Sequence, residues 1–565
     1  MSRSVRATVA SLALIGASAL AGSAFGSMQA PAAADSREAH LKRYSEILSA
    51  IESNYVEEVD PSKPVASSIR EMLRTLDPHS NFFEVKEFSR MQEQQKGSYF
   101  GLGITIVSLD GRITVVSPFE GSPAHRLGIR AGDIIVGIES EDARGMDIDA
   151  VVKRLRGPKG SQVKIKLERE GYAQPLEFVV VRDEIPLHSV PYSFMVSNDV
   201  GYIRLVDFNE TTACRPTEPS DCERDLERAL RTLKEKGATS YVLDIRDNPG
   251  GLLDMAFSVS NLFLKKGQMV VYTKGRLPRD EFSYITENDS PWSQVPLVVM
   301  TSRHSASASE IVAGAIQDHD RGLIVGERTF GKGLVQTVSP LRSVRGYALS
   351  LTTARYYTPS GRSIQRPYGG NTALEDYQAP AERAGCDVEG SDPRLTDAGR
   401  RVFGGDGITP DTCIEPAKTG TVVQGLQSKQ AFVNFARHFE SAEVAAKTAV
   451  EGAGSRANVG NDKVRLIRKD FEVTPAIVQE FVAFLKSEKI MFDEREFQNS
   501  RDEVEAEILE ETMRQVFGEG AARQRLYPLD PQLKKAISLI PSAKVLLKDP
   551  QRYISEAMTK RAASR

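Results

Sequence analysis

The spacing of apolar residues changes along the chain and divides it into successive regions. Residues 39–95 carry apolar side chains every three or four positions, interrupted at 59–64, which predicts two amphipathic helices that serve most simply for packing or dimerisation. Residues 99–184 instead contain short β-branched runs, with Asp110 and Gly111 as a hairpin turn between the first two. This second region therefore predicts a small β-rich module.

Residues 200–357 alternate between apolar strand patterns and helical patterns. Strands separated by helices of this length predict βαβ crossovers and a largely parallel sheet, which makes this region an α/β core. The predicted strands are 200–205, 240–245, 269–272, 297–300 and 323–325, and the predicted helices are 222–236, 254–264 and 309–319.

The chain beyond residue 424 is helical and charged, and it carries no recognisable chemical motif. Its apolar positions follow two predicted helices. One helix is lined by Phe471, Ile477, Phe481 and Leu485, and the other by Ile508, Met513 and Val516.

Composition excludes several classes of protein. A length of 565 residues predicts about three or four domains, and 40% apolar with 26% charged residues is the balance of a globular protein. Lys and Arg number 73 against 76 Asp and Glu, so a net charge of −3 favours neither nucleic acid nor an acidic membrane surface. No apolar run of about 20 residues follows the first 30 positions, which excludes a multi-span membrane protein.

The N-terminus has the pattern of a secretory signal. Arg3 and Arg6 precede an uncharged apolar stretch at 7–21, small residues follow, and the first acidic residue is Asp35. Residues 1–30 are therefore predicted to be a signal peptide that exports the chain to the periplasm or the extracellular space. An uncleaved anchor, with peripheral contact to the membrane, is the alternative.

The four cysteines form two close sets, Cys214 with Cys222 and Cys386 with Cys413. Sequence proximity favours these two pairings as local disulfides in an oxidising compartment. A zinc site is the alternative, but no CxxC or HxxxH spacing supports it. The sequence therefore predicts no metal.

A cluster of small hydroxyl residues follows the predicted strand at 297–300 and leads into a helix. A serine at such a junction has its hydroxyl beside the free N–H groups of the first helical turn, which suits a nucleophile. A simple helix N-cap is the alternative. Ser305, Ser307 and Ser309 are not separated by this argument, and His304 stands too close in sequence to be readily aligned as a base.

A lysine downstream is a second candidate base. Lys332 is flanked by Gly331 and Gly333, and period two along a following strand puts Lys332 and Gln336 on one face, where Gln336 could orient the amine. A base role requires the lysine pKa to fall by about three units, roughly 4 kcal/mol of desolvation. Burial next to Phe330 is one source of that desolvation.

The same segment has the Gly-x4-Gly-Lys spacing of a phosphate-binding loop. That motif requires Ser or Thr after the lysine and opens a helix, but Gly333 stands there and residues 334–338 are expected to be extended. Nucleotide binding is therefore disfavoured.

Three features of the sequence resemble the C-terminal processing (tail-specific) proteases. They are the stretch 305–311, Asp318, and a Gly-Lys-Gly whose lysine, Lys332, lies 25 residues past Ser307. The resemblance covers roughly 40–416. Members of this family are exported serine peptidases with a Ser-Lys catalytic pair, and they need no cofactor. The resemblance implies an α/β fold: a Clp-protease/crotonase-like catalytic core with an inserted β-rich PDZ domain and helical N- and C-terminal regions.

The family pattern also implies roles for individual residues. Ser307 is then the nucleophile, Lys332 the general base, and Gln336 the residue that orients the lysine. The oxyanion hole uses backbone N–H groups, here of Ala308 and of Gly250 or Gly251, between which the sequence does not choose.

The β-rich module fits the same resemblance. Two glycines stand just before a predicted strand, where successive N–H groups can hold a terminal carboxylate and the strand edge can pair with a peptide. Residues 122–135 and the helix around 151–155 resemble the rest of a PDZ domain. The carboxylate-binding residues are then Gly101, Leu102, Gly103 and Ile104. Arg156 matches an arginine that in some members couples PDZ occupancy to the active site, or it is a surface charge.

The sequence thus predicts an exported serine endopeptidase that binds protein C-termini through a PDZ domain and cleaves upstream. A homo-oligomer or an adaptor is compatible with this prediction, and nucleic acid is not expected. The alternatives are a non-catalytic PDZ scaffold and an acyl-transferring crotonase-like enzyme. The expected regions are a signal at 1–30, a helical element at 38–95, a PDZ domain at 96–184, a protease core at 185–416 and a helical domain of unknown role at 424–565.

Overall fold

The computed structural model describes residues 36–109, 111–169, 172–219, 221–368, 377, 392–442 and 465–563. The chain divides into two compact units, Met1–Leu76 and Asp77–Arg565. Within the described ranges, no helix has the length and apolar character needed to cross a membrane.

Two helices, Arg37–Asn54 and Ser62–Arg74, form the described part of the first unit. Ser36 caps the first helix by accepting the N–H of Ala39 at 3.3 Å. This helix buries none of its residues, so its predicted apolar stripe is exposed to solvent. The exposed side chains are Leu41, Tyr44, Ile47 and Ile51.

The second unit opens with a strand that the helical spacing of 39–95 did not predict. Asn81–Phe83 is extended because it pairs antiparallel with residues 348–350, and a helix then runs over Val85–Lys96. A distant partner strand therefore overrides the local pattern.

The predicted parallel sheet is confirmed. Its strands lie in the order Tyr192–Met195, Val200–Arg204, Ser240–Asp244, Leu297–Thr301, Leu323–Gly326 and Thr412–Cys413, and only the first is antiparallel to its neighbour. Helices Asp225–Glu235, Leu253–Phe263 and Ala308–Asp318 connect successive strands. The last of these, which we call the serine helix, is buried along its whole length.

A second, antiparallel sheet packs near the first. Its strands are Asn81–Phe83, Leu334–Pro340, Ala348–Tyr357, Met269–Gly275 and Ser283–Ile285. The expectation that 269–272 continues the parallel sheet is wrong, because this strand pairs with residues 354–357 instead. The segment after Lys332 is extended, as expected, and does not open a helix.

The β-rich module has its own core, which includes Val151, Val163 and Ile165. Its sheet runs in the order Ile104–Leu109, Arg112–Pro118, Ile134–Ile138, Gln162–Glu168 and Leu176–Val181, with Glu141–Asp142 beside Ile134–Ile138. Asp110 of the predicted turn lies outside the described residues. Pairing of Ser98–Gly101 with Asp183–Pro186 closes the module at its base, and helices Pro123–Arg126 and Ile148–Leu155 complete it.

The C-terminal region, which we call the tail, consists mainly of helices. They are Thr421–Ser428, Ala431–Ala436, Pro475–Ser487, Glu494–Asn499, Arg501–Phe517, Glu519–Leu526, Pro531–Ser538, Ile540–Lys548 and Pro550–Ala563. Phe471 precedes its predicted helix, because Thr474 and Pro475 begin that helix, but it packs against the same apolar core. Short strand pairs join Asp392–Leu395 to Arg401–Gly404 and Phe439–Ser441 to Arg465–Ile467.

Candidate active site

The three candidate serines at the start of the serine helix have different surroundings. Ser305 Oγ donates to the carbonyl oxygen of Ile245 at 2.8 Å, and Ser309 Oγ donates to that of Asn248 at 2.9 Å. Both of these serines are fully buried, whereas Ser307 is partly exposed. Of the three serines, Ser307 is therefore the one that is accessible to solvent.

The backbone at Ser307 is strained. Its φ of +53° and ψ of −113° lie in a region that residues other than glycine seldom adopt. Ser307 forms the N-cap of the serine helix, so its side chain stands at the positive end of the helix dipole. The neighbouring N–H of Ala308 has no acceptor within the described part of the chain and is available to a ligand.

The carboxylate of Glu310 joins the serine segment to the lysine segment. Its Oε2 accepts the N–H groups of Ser307 and Lys332, both at 2.8 Å. Its Oε1 accepts the N–H of Gly331 at 2.8 Å and the hydroxyl of Thr329 at 2.6 Å. Sequence reasoning missed this residue, although the Ser-x-x-Glu spacing of a capping box pointed to it. One buried side chain thus fixes both candidate catalytic segments.

Complete burial raises the pKa of Glu310 to about 7. The hydrogen bonds from Thr329, Lys332, Gly331 and Ser307 act in the opposite direction, because they stabilise the ionised form. The carboxylate is therefore poised to change charge near neutral pH.

Lys332 is partly buried and lies in the segment between the strands Leu323–Gly326 and Leu334–Pro340. Burial lowers the pKa of its amine, while the charges of Glu310 and Asp77 raise it. The hydroxyl of Tyr356 lies within hydrogen-bond reach of the carbonyl oxygens of both Ser307 and Lys332, which further links the two segments. No hydrogen bond joins Ser307 Oγ to Lys332 Nζ among the described residues. His304 is exposed.

Gln336 does not lie in simple alternation with Lys332. The register shifts between Val335 and Gln336, so the expected period of two is interrupted by a bulge. Gln336 Nε2 donates to Thr352 Oγ1 at 2.8 Å, and its Oε1 is buried with no partner among the described residues. The Gln336 amide is therefore fixed through its nitrogen, and its Oε1 can accept a hydrogen bond from a donor in the site.

The segment before the first strand of the second unit also reaches this site. Ser80 Oγ donates to Asp77 at 2.7 Å and accepts the N–H of Thr352 at 3.1 Å. Burial lowers the pKa of His79 to about 4, and the positive charge of Lys332 contributes to the lowering. The neutral His79 ring contacts the hydroxyl of Tyr377 at 2.9 Å. Sequence reasoning had assigned no role to this segment.

The two candidate oxyanion glycines have different environments. A Cβ on Gly250 would lie 2.8 Å from both Ser307 Cβ and Ala308 N, so only glycine permits this approach to the serine. The Gly250 N–H, however, donates to Asn248 Oδ1 at 2.9 Å. The Gly251 N–H has no acceptor in the described part of the chain. The loop 248–251, which we call the glycine loop, thus lies directly against Ser307.

The predicted carboxylate loop is held by its carbonyl groups. Leu102 O accepts the N–H of Ala124 at 3.0 Å, and Gly103 O accepts the hydroxyl of Ser122 at 3.0 Å. Gly103 has a φ of +75°, and a Cβ there would lie 2.3 Å from Ser122 Cβ. Ile104 begins an edge strand of the small sheet, whose outer side can pair with a peptide.

Arg156 lies between the carboxylate loop and the helix Val85–Lys96. Its guanidinium pairs with Glu93 and lies 4.6 Å from the ring centre of Tyr99. A Cβ on Gly101 would lie 3.8 Å from Arg156 Cγ. Arg156 thus pairs with the helix Val85–Lys96 and lies beside Gly101 of the carboxylate loop.

The same helix reaches the glycine loop. Gln94 Nε2 donates to Asp207 Oδ2 at 3.2 Å, and Asp207 Oδ1 would lie 3.0 Å from a Cβ on Gly251. Burial raises the pKa of Asp207. The helix Val85–Lys96 therefore contacts Arg156 through Glu93 and Asp207 through Gln94.

The predicted Cys214–Cys222 disulfide is confirmed, with an S–S distance of 2.00 Å. Cys413 is also disulfide-bonded, and Cys386, its predicted partner, lies outside the described residues. Among the described residues, the one group with metal-ligand spacing is Cys214, Glu218 and Cys222, and both of its sulfurs are in the disulfide.

The structure combines an α/β core, which presents a serine and a half-buried lysine, with a separate β module of the type that binds peptides. This combination is typical of a class of peptide-bond hydrolases. The chain matches the model of peptidase family S41 over residues 199–371 and that of the PDZ domain over 114–169. It is 41% identical to the carboxy-terminal-processing protease of Bartonella bacilliformis over 325 residues, 58% of this chain and 72% of that protein.

A carboxyl-terminal-processing protease of Synechocystis is 35% identical over 306 residues, which cover 53% of this chain and 68% of that protein. A solved photosystem II D1 C-terminal processing protease is 27% identical, covers 66% of this chain and 92% of its own, and has a TM-score of 0.34. The identities of 41% and 35% to the two relatives, each covered over more than two thirds of its length, show that the chain belongs to the carboxy-terminal-processing proteases of family S41. It is a serine-type endopeptidase with a PDZ domain.

Proposed function

We propose that this protein is an exported endopeptidase that captures protein C-termini in its PDZ domain and cleaves them with Ser307 as nucleophile and Lys332 as base. The observation that carries the proposal is the shared Glu310 carboxylate, which holds the amides of both residues at 2.8 Å. A lysine with a lowered pKa next to a partly exposed serine suits general-base activation of a hydroxyl.

In the proposed reaction, neutral Lys332 takes the proton of Ser307 Oγ as that oxygen attacks the substrate carbonyl. The negative charge that develops is met by the Ala308 N–H and by an N–H of the glycine loop. Gly251 offers its N–H directly, whereas Gly250 would first have to release Asn248. The lysine then returns the proton to the leaving amine, and water hydrolyses the acyl-enzyme by the reverse sequence. Gln336 Oε1 accepts from the lysine amine and orients it.

Substrate capture is assigned to the PDZ domain. The terminal carboxylate binds at residues 101–104, and the peptide adds as a strand to the edge strand Ile104–Leu109. Arg156 connects this loop to Glu93 and so to the helix that contacts Asp207. Occupancy of the PDZ domain would reach the glycine loop through these contacts.

Export is supported by the N-terminal residues 1–30, which lie outside the described residues, and by the Cys214–Cys222 disulfide, which persists in oxidising compartments. The exposed apolar stripe of Arg37–Asn54 supports an oligomer or contact with another apolar surface.

The test incubates wild type, Ser307→Ala and Lys332→Ala with an unfolded protein that ends in an apolar residue, and with the same protein amidated at its C-terminus. We expect the wild type to cleave the free-acid substrate faster and both variants to be inactive. Ser487→Ala and Lys486→Ala, at the exposed end of a tail helix, are matched controls that should retain activity. Equal processing by all variants would contradict the mechanism, and binding without cleavage by the wild type would favour a PDZ scaffold.

A further inference from the structure

The tail covers the outer face of the parallel sheet. Apolar side chains of helices Pro531–Ser538 and Ile540–Lys548 pack against apolar side chains of the strands, which are buried as a result. The tail contributes Leu533, Ala536, Ile540, Ala543 and Leu546, and the strands contribute Val242, Val298, Met300 and Val325. This packing brings the start of the first helix to the carboxyl end of the strand Ser240–Asp244.

Two tail residues at that point hold Arg246, which lies two residues before the glycine loop. Asp530 Oδ2 lies 2.8 Å from Arg246 Nη2, and Gln532 Oε1 accepts from Arg246 Nη1 at 2.8 Å. Gln532 is itself 2% exposed and donates to the carbonyl oxygen of Ile414 at 2.8 Å. Asp244 accepts from Nε of the same guanidinium at 3.0 Å and from its Nη2 at 2.6 Å. Arg246 is thus fixed from both sides, by the core and by the tail.

The chain that follows Arg246 is in direct contact with the nucleophile segment. Asp247 N–H donates to Ser302 Oγ at 2.8 Å, and Asn248 O accepts the N–H of Ala306 at 3.0 Å. A displacement of the backbone at Arg246 would therefore be passed to the glycine loop and to the turn that carries Ser307. A shift of the oxyanion donors by a fraction of an ångström matters, because these donors act on charge that exists only in the transition state.

We infer that Asp530 and Gln532 are positioning residues for the glycine loop, so that the docked tail is part of the catalytic machinery. This inference rests on the proposed function of the loop as an oxyanion donor. It assigns a role to a region that lies outside the match to the peptidase family, which ends at residue 371. Neither residue contacts substrate; both act through Arg246.

The experiment compares Asp530→Ser, Gln532→Met and the double variant with the wild type in a fluorogenic peptide assay. Serine keeps a capping oxygen for the N–H of Leu533, which Asp530 accepts at 3.0 Å, but it is too short to reach Arg246. The matched control is Lys544→Met, which breaks the 3.3 Å pair with Asp199 at the opposite end of the sheet on the same interface. Asp530→Asn serves as the conservative rescue.

We expect the double variant to lose about tenfold to a hundredfold in kcat with KM within about twofold, because oxyanion placement affects the transition state and not substrate binding. Its tetrahedral adduct with a peptide boronic acid should also form more slowly than that of the wild type. Asp530→Asn should regain most of the rate, and Lys544→Met should keep the wild-type kcat even if its melting temperature falls.

Wild-type kcat in a folded double variant would overturn the inference, as would an equal loss of kcat in Lys544→Met at the same melting temperature. A wild type that neither cleaves the peptide nor forms the adduct would instead overturn the proposed function itself, and the inference with it.

Discussion

Replacing Glu310 with Gln tests whether one buried carboxylate assembles the site. The carboxylate has two acceptor oxygens and receives four donors, two on each oxygen. The amide of Gln keeps one acceptor and turns an NH2 group toward the other two donors. Either the pair from Ser307 and Lys332 or the pair from Gly331 and Thr329 therefore loses its acceptor.

The energies are large enough to measure. Two buried donors without acceptors cost about 1–3 kcal/mol each. The pKa of Glu310 is about 7 in the folded protein against 4.5 for the free side chain, a difference worth about 3 kcal/mol at roughly 1.36 kcal/mol per pH unit. Because the folded pKa is the higher one, this stability is fully present below about pH 4.5 and is lost as the pH rises through 7. Gln cannot ionise and removes this dependence.

Urea unfolding of both proteins at pH 5 and pH 8 checks this. Relative to Glu310→Gln, the wild type should lose about 2.5 kcal/mol of stability between pH 5 and pH 8, because only the wild type carries a group whose folded pKa is raised to about 7. His79, whose pKa is lowered to about 4, gives a slope of the opposite sign, but it is present in both proteins and cancels in the comparison. We also expect kcat to fall about 100-fold through misplacement of the catalytic segments. Identical pH slopes, or an unchanged kcat, would refute the reasoning.

Four further predictions follow from the described contacts. The rising limb of the kcat/KM profile against pH should lie below 10.5, because burial lowers the pKa of Lys332; a limb at or above 10.5 would contradict its role as base. Gly103→Ala should raise KM at least tenfold for free-acid peptides, with little change for amidated ones, since its Cβ would collide with Ser122 and displace the carboxylate loop. Arg156→Ala should abolish any change in kcat caused by a non-cleavable C-terminal peptide, without weakening binding of that peptide by calorimetry. Replacing Cys214 and Cys222 by Ser should lower the free energy of unfolding by about 2.5 kcal/mol, from the entropy of a short loop, with kcat preserved.

Much of the core was predictable because its strands are short, fully buried apolar runs separated by helical spacing. The strands at 240–244 and 297–301 needed no long-range information beyond that pattern. The strand Asn81–Phe83 and the bulge before Gln336 were not predictable, because each depends on a partner strand far away in sequence. The serine could be separated from its two neighbours only once the acceptors of their hydroxyls were known.

The site is assembled from four separated segments, and this explains why the sequence reveals its chemistry better than its geometry. The four are residues 77–80, the glycine loop, the start of the serine helix and the segment that contains Lys332. Each is hydrogen-bonded to another of the four or to a neighbouring strand. Ser307 Oγ and Lys332 Nζ share no hydrogen bond among the described residues, yet Gln336 Oε1 is left as an open acceptor. In the proposed mechanism the Lys332 amine donates to this Gln336 oxygen when it accepts the proton of Ser307.

We propose that PDZ binding reaches the glycine loop through the pair Arg156–Glu93 and the hydrogen bond from Gln94 to Asp207, and that Arg246 links the tail to the same loop. Two distant parts of the chain would then act on the loop that adjoins Ser307. In the proposed mechanism, cleavage therefore depends on an occupied PDZ domain and a docked tail as well as on Ser307 and Lys332.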